Sequence, residues 1–295
     1  MCQSSDMKDK VYGILGLVER DFMKIDYKLP VEEIIRRFTE ATIQRDGNLH
    51  ILQASGFQKQ LLSLPSWVPD LSTSTPLGTL PARDRFPFRP DGALVVRGKS
   101  IDTISAIGPV LPSGIAYAPW AANTELSVGS CSFAHVFHKW ESLAASLIPG
   151  WGRFLPSSVI NAFAVTLVAD NGYLGKRGRD LDECYSSDAQ AFASWYSLCG
   201  TGVLEAADPT GYLSDYMIYD RCFFVTEGGS MGLTTPGARV GDRIAYIPGA
   251  YQPFVLRPLD MQGEWTMHGD CYLYGLDIYE LFEDDQHVVE EFVIR

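Results

Sequence analysis

Basic residues are scarce in this chain, with 24 Lys and Arg against 36 Asp and Glu, a formal net charge of -12 and a pI near 4.8. Binding along a nucleic-acid backbone needs clustered cations to displace counterions, so nucleic acid is not an expected partner. Long apolar runs are missing as well. The stretch Phe163 to Ala169, interrupted by Thr166, falls far short of the roughly 20 residues that cross a bilayer, and no membrane is expected as a partner. Met1 to Lys10 is polar and holds no apolar secretory core, which points to a cytoplasmic location. The six cysteines (Cys2, Cys131, Cys184, Cys199, Cys222, Cys271) include no CxxC pair, so free thiols are expected in place of a disulfide framework or a zinc knuckle. Glycine-rich phosphate loops and a dinucleotide fingerprint are also lacking. Any chemistry is therefore expected to need no cofactor and no metal.

What is present suits a packed protein. A chain of 295 residues with 46% hydrophobic and 12% aromatic residues can bury one substantial core or two modest ones, and 1–295 reads as a single compact unit. A helical lead-in is expected over 1–70. Pro30 suits the start of a helix, Glu32 and Glu33 complement its positive end, Val31, Ile34, Ile35 and Phe38 form an apolar stripe, and Gly47 is the stop. A short helix follows over Leu49 to Gly56, and the Ser, Thr and Pro of Leu71 to Pro90 read as a surface loop.

Ala93 to Ile107 reads as a strand, with Gly98 marking a bulge or bend. Helices return over 120–215, at Ser132 to Ser146, Val159 to Ala169, and Asp188 to Leu198 behind Ser186 and Ser187. Between the last two, Asn171 to Asp182 reads as a loop carrying Lys176, Arg177 and Arg179, a cluster expected to be solvated. Strands are then expected at Arg221 to Thr226, Arg239 to Ile247, Gln252 to Arg257 and Glu264 to Asp277, separated by Gly and Pro turns. The fold class expected is α+β. Helical N-terminal and central segments, the latter an insertion over 120–215, pack on a small antiparallel β-barrel drawn from 91–110 and 216–280.

Several blocks also occur together in one known family. Asp9 to Leu17 (DKVYGILGL), Ser63 to Asp70 (SLPSWVPD), the strand Ala93 to Ile107, Phe223 to Thr226, Gly241-Asp242, Pro253 to Pro258 (PFVLRP) and Gly269 to Gly275 (GDCYLYG) stand in that order. They resemble blocks of fungal heterokaryon-incompatibility (HET) proteins, over about residues 9 to 280. The family's N-terminal signature domain has no counterpart in these residues, so the resemblance covers the C-terminal region and does not bring the death-triggering role of that domain. It implies either a sensor or protein-interaction module of fungal incompatibility and immunity, or a protein of fungal specialised metabolism. Where the family's last block commonly has His, this chain has Tyr274, and His268 lies earlier.

Four constellations carry potential chemistry. Gly228-Gly229-Ser230-Met231-Gly232 fits the nucleophile-elbow pattern, with Asp260 and His268 following in hydrolase order, but Leu233 to Gly237 is a poor helix start and a hairpin tip is the expected reading. His135 and His138 share a helix face without a third ligand and are expected to be packing or surface residues. Asp284 and Asp285 are adjacent and carry no expected role. In an unbroken strand over 265–277, His268, Asp270, Tyr272 and Tyr274 would alternate onto one face. Turned inward, that row would line a cavity with proton-moving groups; turned outward, it is solvated exterior.

The catalytic candidates are His268, Asp270 and Tyr272, and the substrate-binding candidates are Tyr274, Arg257, Arg221 and Tyr246. Either arginine could grip an oxyanion or pair with Asp242 or Asp270. The function expected first is a cofactor-independent cyclase or isomerase acting on an apolar polyketide or terpenoid, as the family context implies, by holding its shape and stabilising developing charge. The alternative is the non-enzymatic HET-like module.

Overall fold

The computed structural model describes residues 6–15, 22–56, 59–71, 86–112, 133–147, 163, 166–167, 219–260, 263–277, 281 and 288–295. Within them lie the helices α1 (Met7–Leu15), α2 (Val31–Asp46) and α3 (Phe133–Leu147) and a short 3-10 helix, His50–Gly56. The strands are β1 (Leu94–Leu111), β2 (Arg221–Thr226), β3 (Met231–Thr234), β4 (Arg243–Tyr246), β5 (Phe254–Pro258), β6 (Glu264–Leu273) and β7 (Val289–Ile294). They pair in the order β2-β3-β6-β5-β4-β1-β7, and the fold class is α+β. No helix of the described residues is long and apolar enough to cross a membrane. Of the expected helix Val159 to Ala169, residues 163, 166 and 167 are described and helical; the expected loop Asn171 to Asp182 and helix Asp188 to Leu198 lie outside the described residues.

Two compact units divide the chain, one made of Met1–Asp102, Gly241–Cys271 and Ile278–Arg295, the other of Thr103–Val240 and Tyr272–Asp277. In the first, α2 forms as its sequence dictates. Pro30 sits before it at φ -56° and ψ 149°, and Gly47 ends it at φ 63°, its N–H donating to the Ile43 carbonyl. Ile34, Ile35 and Ile43 are its buried stripe, while Glu33 on the opposite side binds both Arg36 and Arg37.

Five strand segments of this unit pair in a circuit, β6-β5-β4-β1-β7, with β7 returning to β6. Antiparallel pairing reverses direction at every step, so a circuit of odd number cannot alternate all the way round and one pair must run parallel. That pair is β6–β7, where Glu264 lies opposite Val293 and Trp265 opposite Ile294. Leu94 and Val96, Ala245, Phe254 and Leu256, Trp265 and Met267, and Phe292 and Ile294 belong to one buried cluster, joined by Ile247, α2 and Trp67. Outer faces of a circuit diverge, so a cluster shared by all five strands is the inner face. Each large apolar side chain buried there contributes about 2 kcal/mol of transfer free energy.

Gly98 stands in regular register with Glu290 of β7, so it marks no bulge in that pairing. Glycine is required for another reason: a Cβ there would collide with the Tyr246 carbonyl on β4. β7 lies beyond the 216–280 span assigned to strands, because Glu290 and Glu291 mask its alternation. The strand expected over Arg239 to Ile247 shortens to β4, since Val240 and Gly241 form a turn, with Gly241 at φ 88°.

In the second unit the outer half of β1 pairs with β2, and β2 pairs with β3, Phe223 opposite Leu233 and Phe224 opposite Gly232. Trp140 of α3 lies against Gly108, its indole N–H donating to the Pro109 carbonyl at 2.8 Å. Its ring stacks on Phe223, which Phe163 also meets edge-on. β3 was not expected as a strand, being too short and glycine-rich to show period-two patterning.

Candidate functional site

The proposed row on β6 assumes strict alternation, and the backbone breaks it. Leu256 pairs with Met267 but Phe254 pairs with Asp270, so two steps along β5 answer three along β6. The extra residue is a bulge, and Gly269 within it has φ 104°, a conformation that side chains with a Cβ avoid. Before the bulge, Thr266 and His268 alternate with the inward Trp265 and Met267, so His268 faces outward, half-buried, with Nε2 3.0 Å from Thr266 Oγ1. After it, Asp270 stands opposite the inward Phe254 and is 4% exposed. An imidazole and a carboxylate expected on one face are thus turned apart.

Tyr272 and Tyr274 belong to the second unit and are half-buried. There the Tyr272 carbonyl presses on Gly232, and the Tyr274 N–H donates to the Met231 carbonyl at 2.9 Å, so this stretch runs alongside β3. Arg221, also in the second unit, is buried at the start of β2. In the first unit Arg257 grips Asp242 with two prongs, Nε to one oxygen at 2.7 Å and Nη2 to the other at 2.8 Å. The pairing with Asp242 that the sequence allowed for Arg257 is present. Tyr246 is buried, and its hydroxyl donates to the Ala250 carbonyl at 3.0 Å, closing the turn between β4 and β5.

Other candidates separate in the same way. Ser230 is no nucleophile at a helix start, because β3 follows it directly; Gly229 N–H donates to the Thr226 carbonyl and Ser230 N–H to Thr226 Oγ1, tying a hairpin turn. The expected hairpin tip is what forms. The side chains of His135 and His138, and residues Asp284, Asp285, Lys176, Arg177 and Arg179, lie outside the described residues. No group of three or more potential metal ligands assembles among the described residues. Cys222 is buried and free, and burial pushes its thiol up to about 11, away from nucleophilic use.

Sequence reasoning missed Lys59. Its ammonium donates to the Pro65 and Ser66 carbonyls at 2.7 and 2.9 Å, and burial lowers its pKa to about 8 against the attraction of Asp70. Nothing local in Gln58-Lys59-Gln60 signals this, since the carbonyls are supplied by the returning loop. No family model, curated protein or solved structure matches the chain.

Proposed function

We propose that this chain is a recognition module that works through its outer surface, of the HET-like sensor or interaction kind that its sequence blocks resemble. The circuit of five strands is read as a small barrel, and the observation that carries the proposal is how its inner face is filled. Phe254, Leu256, Trp265, Met267, Phe292 and Ile294 are all at most 7% exposed and belong to one buried cluster. A cyclase that folds an apolar metabolite needs a cavity of several hundred cubic ångströms. A core so occupied speaks against one within these strands. Three further observations support the same reading: the bulge at Gly269 parts His268 from Asp270, Asp242 neutralises Arg257, and Ala250 engages the Tyr246 hydroxyl. Leu62 (87% exposed) and Val288 (77% exposed) are single apolar side chains left in water, available to a partner.

The test is a gene deletion with two readouts. The metabolite profile is expected to stay unchanged, while the tagged chain and a tagged partner retrieve each other reciprocally. Leu62→Glu and Val288→Glu should abolish that retrieval without lowering the melting temperature. A compound that accumulates in the deletion strain and is converted by the purified chain would overturn the proposal in favour of the cyclase.

A further inference from the structure

One amine of the first unit is held in a way that leaves it able to react. Residues 60–70 close into a loop, at whose far end Asp70, 4% exposed, accepts the Gln60 and Leu61 N–H groups at 2.7 and 3.0 Å. Across the loop the half-buried Lys59 donates from Nζ to the Pro65 and Ser66 carbonyls, at 2.7 and 2.9 Å. An ammonium has three N–H donors, and among the described residues the third has no acceptor. Loss of that proton leaves two N–H groups, the number the two carbonyls take up, and a lone pair where the third hydrogen was. Deprotonation therefore costs the loop no hydrogen bond and creates a nucleophile.

The surroundings favour release of the proton. Burial disfavours the ammonium and outweighs the attraction of Asp70, the charged group that acts on it, so the Lys59 pKa is lowered to about 8. At pH 8 about half of this amine is neutral, against roughly one in 300 for a lysine at the ordinary 10.5. The same loop fastens the closure of the strand circuit. Ser66 N–H donates to the Arg295 carbonyl at 2.8 Å, and Ser66 Oγ accepts the Met267 N–H at 2.9 Å. Through the Ser66 carbonyl, Lys59 thus supports the residue that ties the end of β7 to β6.

We infer that Lys59 is a modification site, an amine that accepts the acyl group of a short-chain acyl thioester and in doing so loosens the loop around Ser66. Nζ attacks the thioester carbonyl carbon, the N–C bond forms as the C–S bond breaks, and the proton shed by nitrogen leaves with sulfur as the free thiol. The resulting amide is uncharged and has one N–H, so it can serve only one of the two carbonyls. The inference goes beyond surface recognition and does not depend on it.

Acetyl-coenzyme A tests it on the full chain, with acetylation at each lysine followed by peptide mass spectrometry between pH 7 and 10. The exposed Lys24 and Lys28 are the internal references. At pH 8 Lys59 is expected to react at least about tenfold faster than either, part of its larger share of free base being lost to lower basicity and partial cover. Its rate should level off just above pH 8 while theirs keep climbing, and the advantage should vanish in urea. In the acetylated chain the Met267 amide should exchange faster than in the parent. Lys59→Arg, which keeps the donors but offers no such amine, should show parental exchange after the same treatment, so the other acetylated lysines are controlled for. A Lys59 rate no greater than that of Lys24 and Lys28, a profile that climbs with theirs, or unchanged Met267 exchange would each overturn the assignment.

Discussion

Arg257 holds Asp242 in a two-pronged ion pair, and the partners are unequally placed: the Asp242 side chain is 2% exposed and that of Arg257 24%. The carboxylate depends on the guanidinium more than the reverse. Arg257→Met, which removes both guanidinium contacts from a buried carboxylate, is expected to cost about 3 kcal/mol, and the double change Arg257→Met with Asp242→Leu to recover much of it. Urea denaturation of the single and double variants measures both. A single variant as stable as the parent would show that the pair contributes nothing.

Gly269 is expected to resist substitution because its φ of 104° is what inserts the extra residue into β6. Gly269→Ala should cost about 1–2 kcal/mol, the penalty of a left-handed conformation with a Cβ. Gly275→Ala, a second glycine of positive φ that lies in a turn just past β6, is the comparison: it should leave the Phe254–Asp270 pairing intact in amide exchange, while Gly269→Ala loosens it.

Filling of the inner face can be measured directly. Phe292→Ala should cost about 3–5 kcal/mol and leave a dry cavity that takes up benzene or xenon. The parent chain should take up neither at this position. Uptake by the parent, with little loss on truncation, would mean that the strands enclose free space and would reopen the cyclase reading.

Lys59 gives a signature in pH. Its folded pKa is lowered from 10.5 to about 8 by burial, so between those values the unfolded chain binds the proton that the folded chain has released. Stability from this group therefore rises as pH climbs from about 8 to 10.5, and the cost of burying the charge is fully present below 8. Other groups titrate in the same window, so the difference between parent and Lys59→Met isolates it: the gap should shift in favour of the parent with rising pH. Parallel stability curves would contradict the assignment.

The sequence by itself determined the elements whose signals are local. Pro30, the apolar stripe and Gly47 were enough to define α2, because capping and periodicity act over a few residues. The span Arg221–Thr226 was readable as a strand for the same reason, as was the hairpin turn at Gly228 and Gly229. Contacts over long sequence distances decided the rest. The parallel closure of β7 on β6 joins the end of the chain to Glu264 and Trp265, and the two glutamates of β7 gave no alternation to read. The face on which His268 and Asp270 project was settled by a bulge, which appears in sequence only as one more glycine in a strand. Which carboxylate Arg257 meets, and whether Lys59 is solvated, likewise depended on segments brought alongside by folding. Patterning fixes what each segment prefers alone, whereas register, direction and neighbours are set by packing the whole chain, and the site residues depend on those.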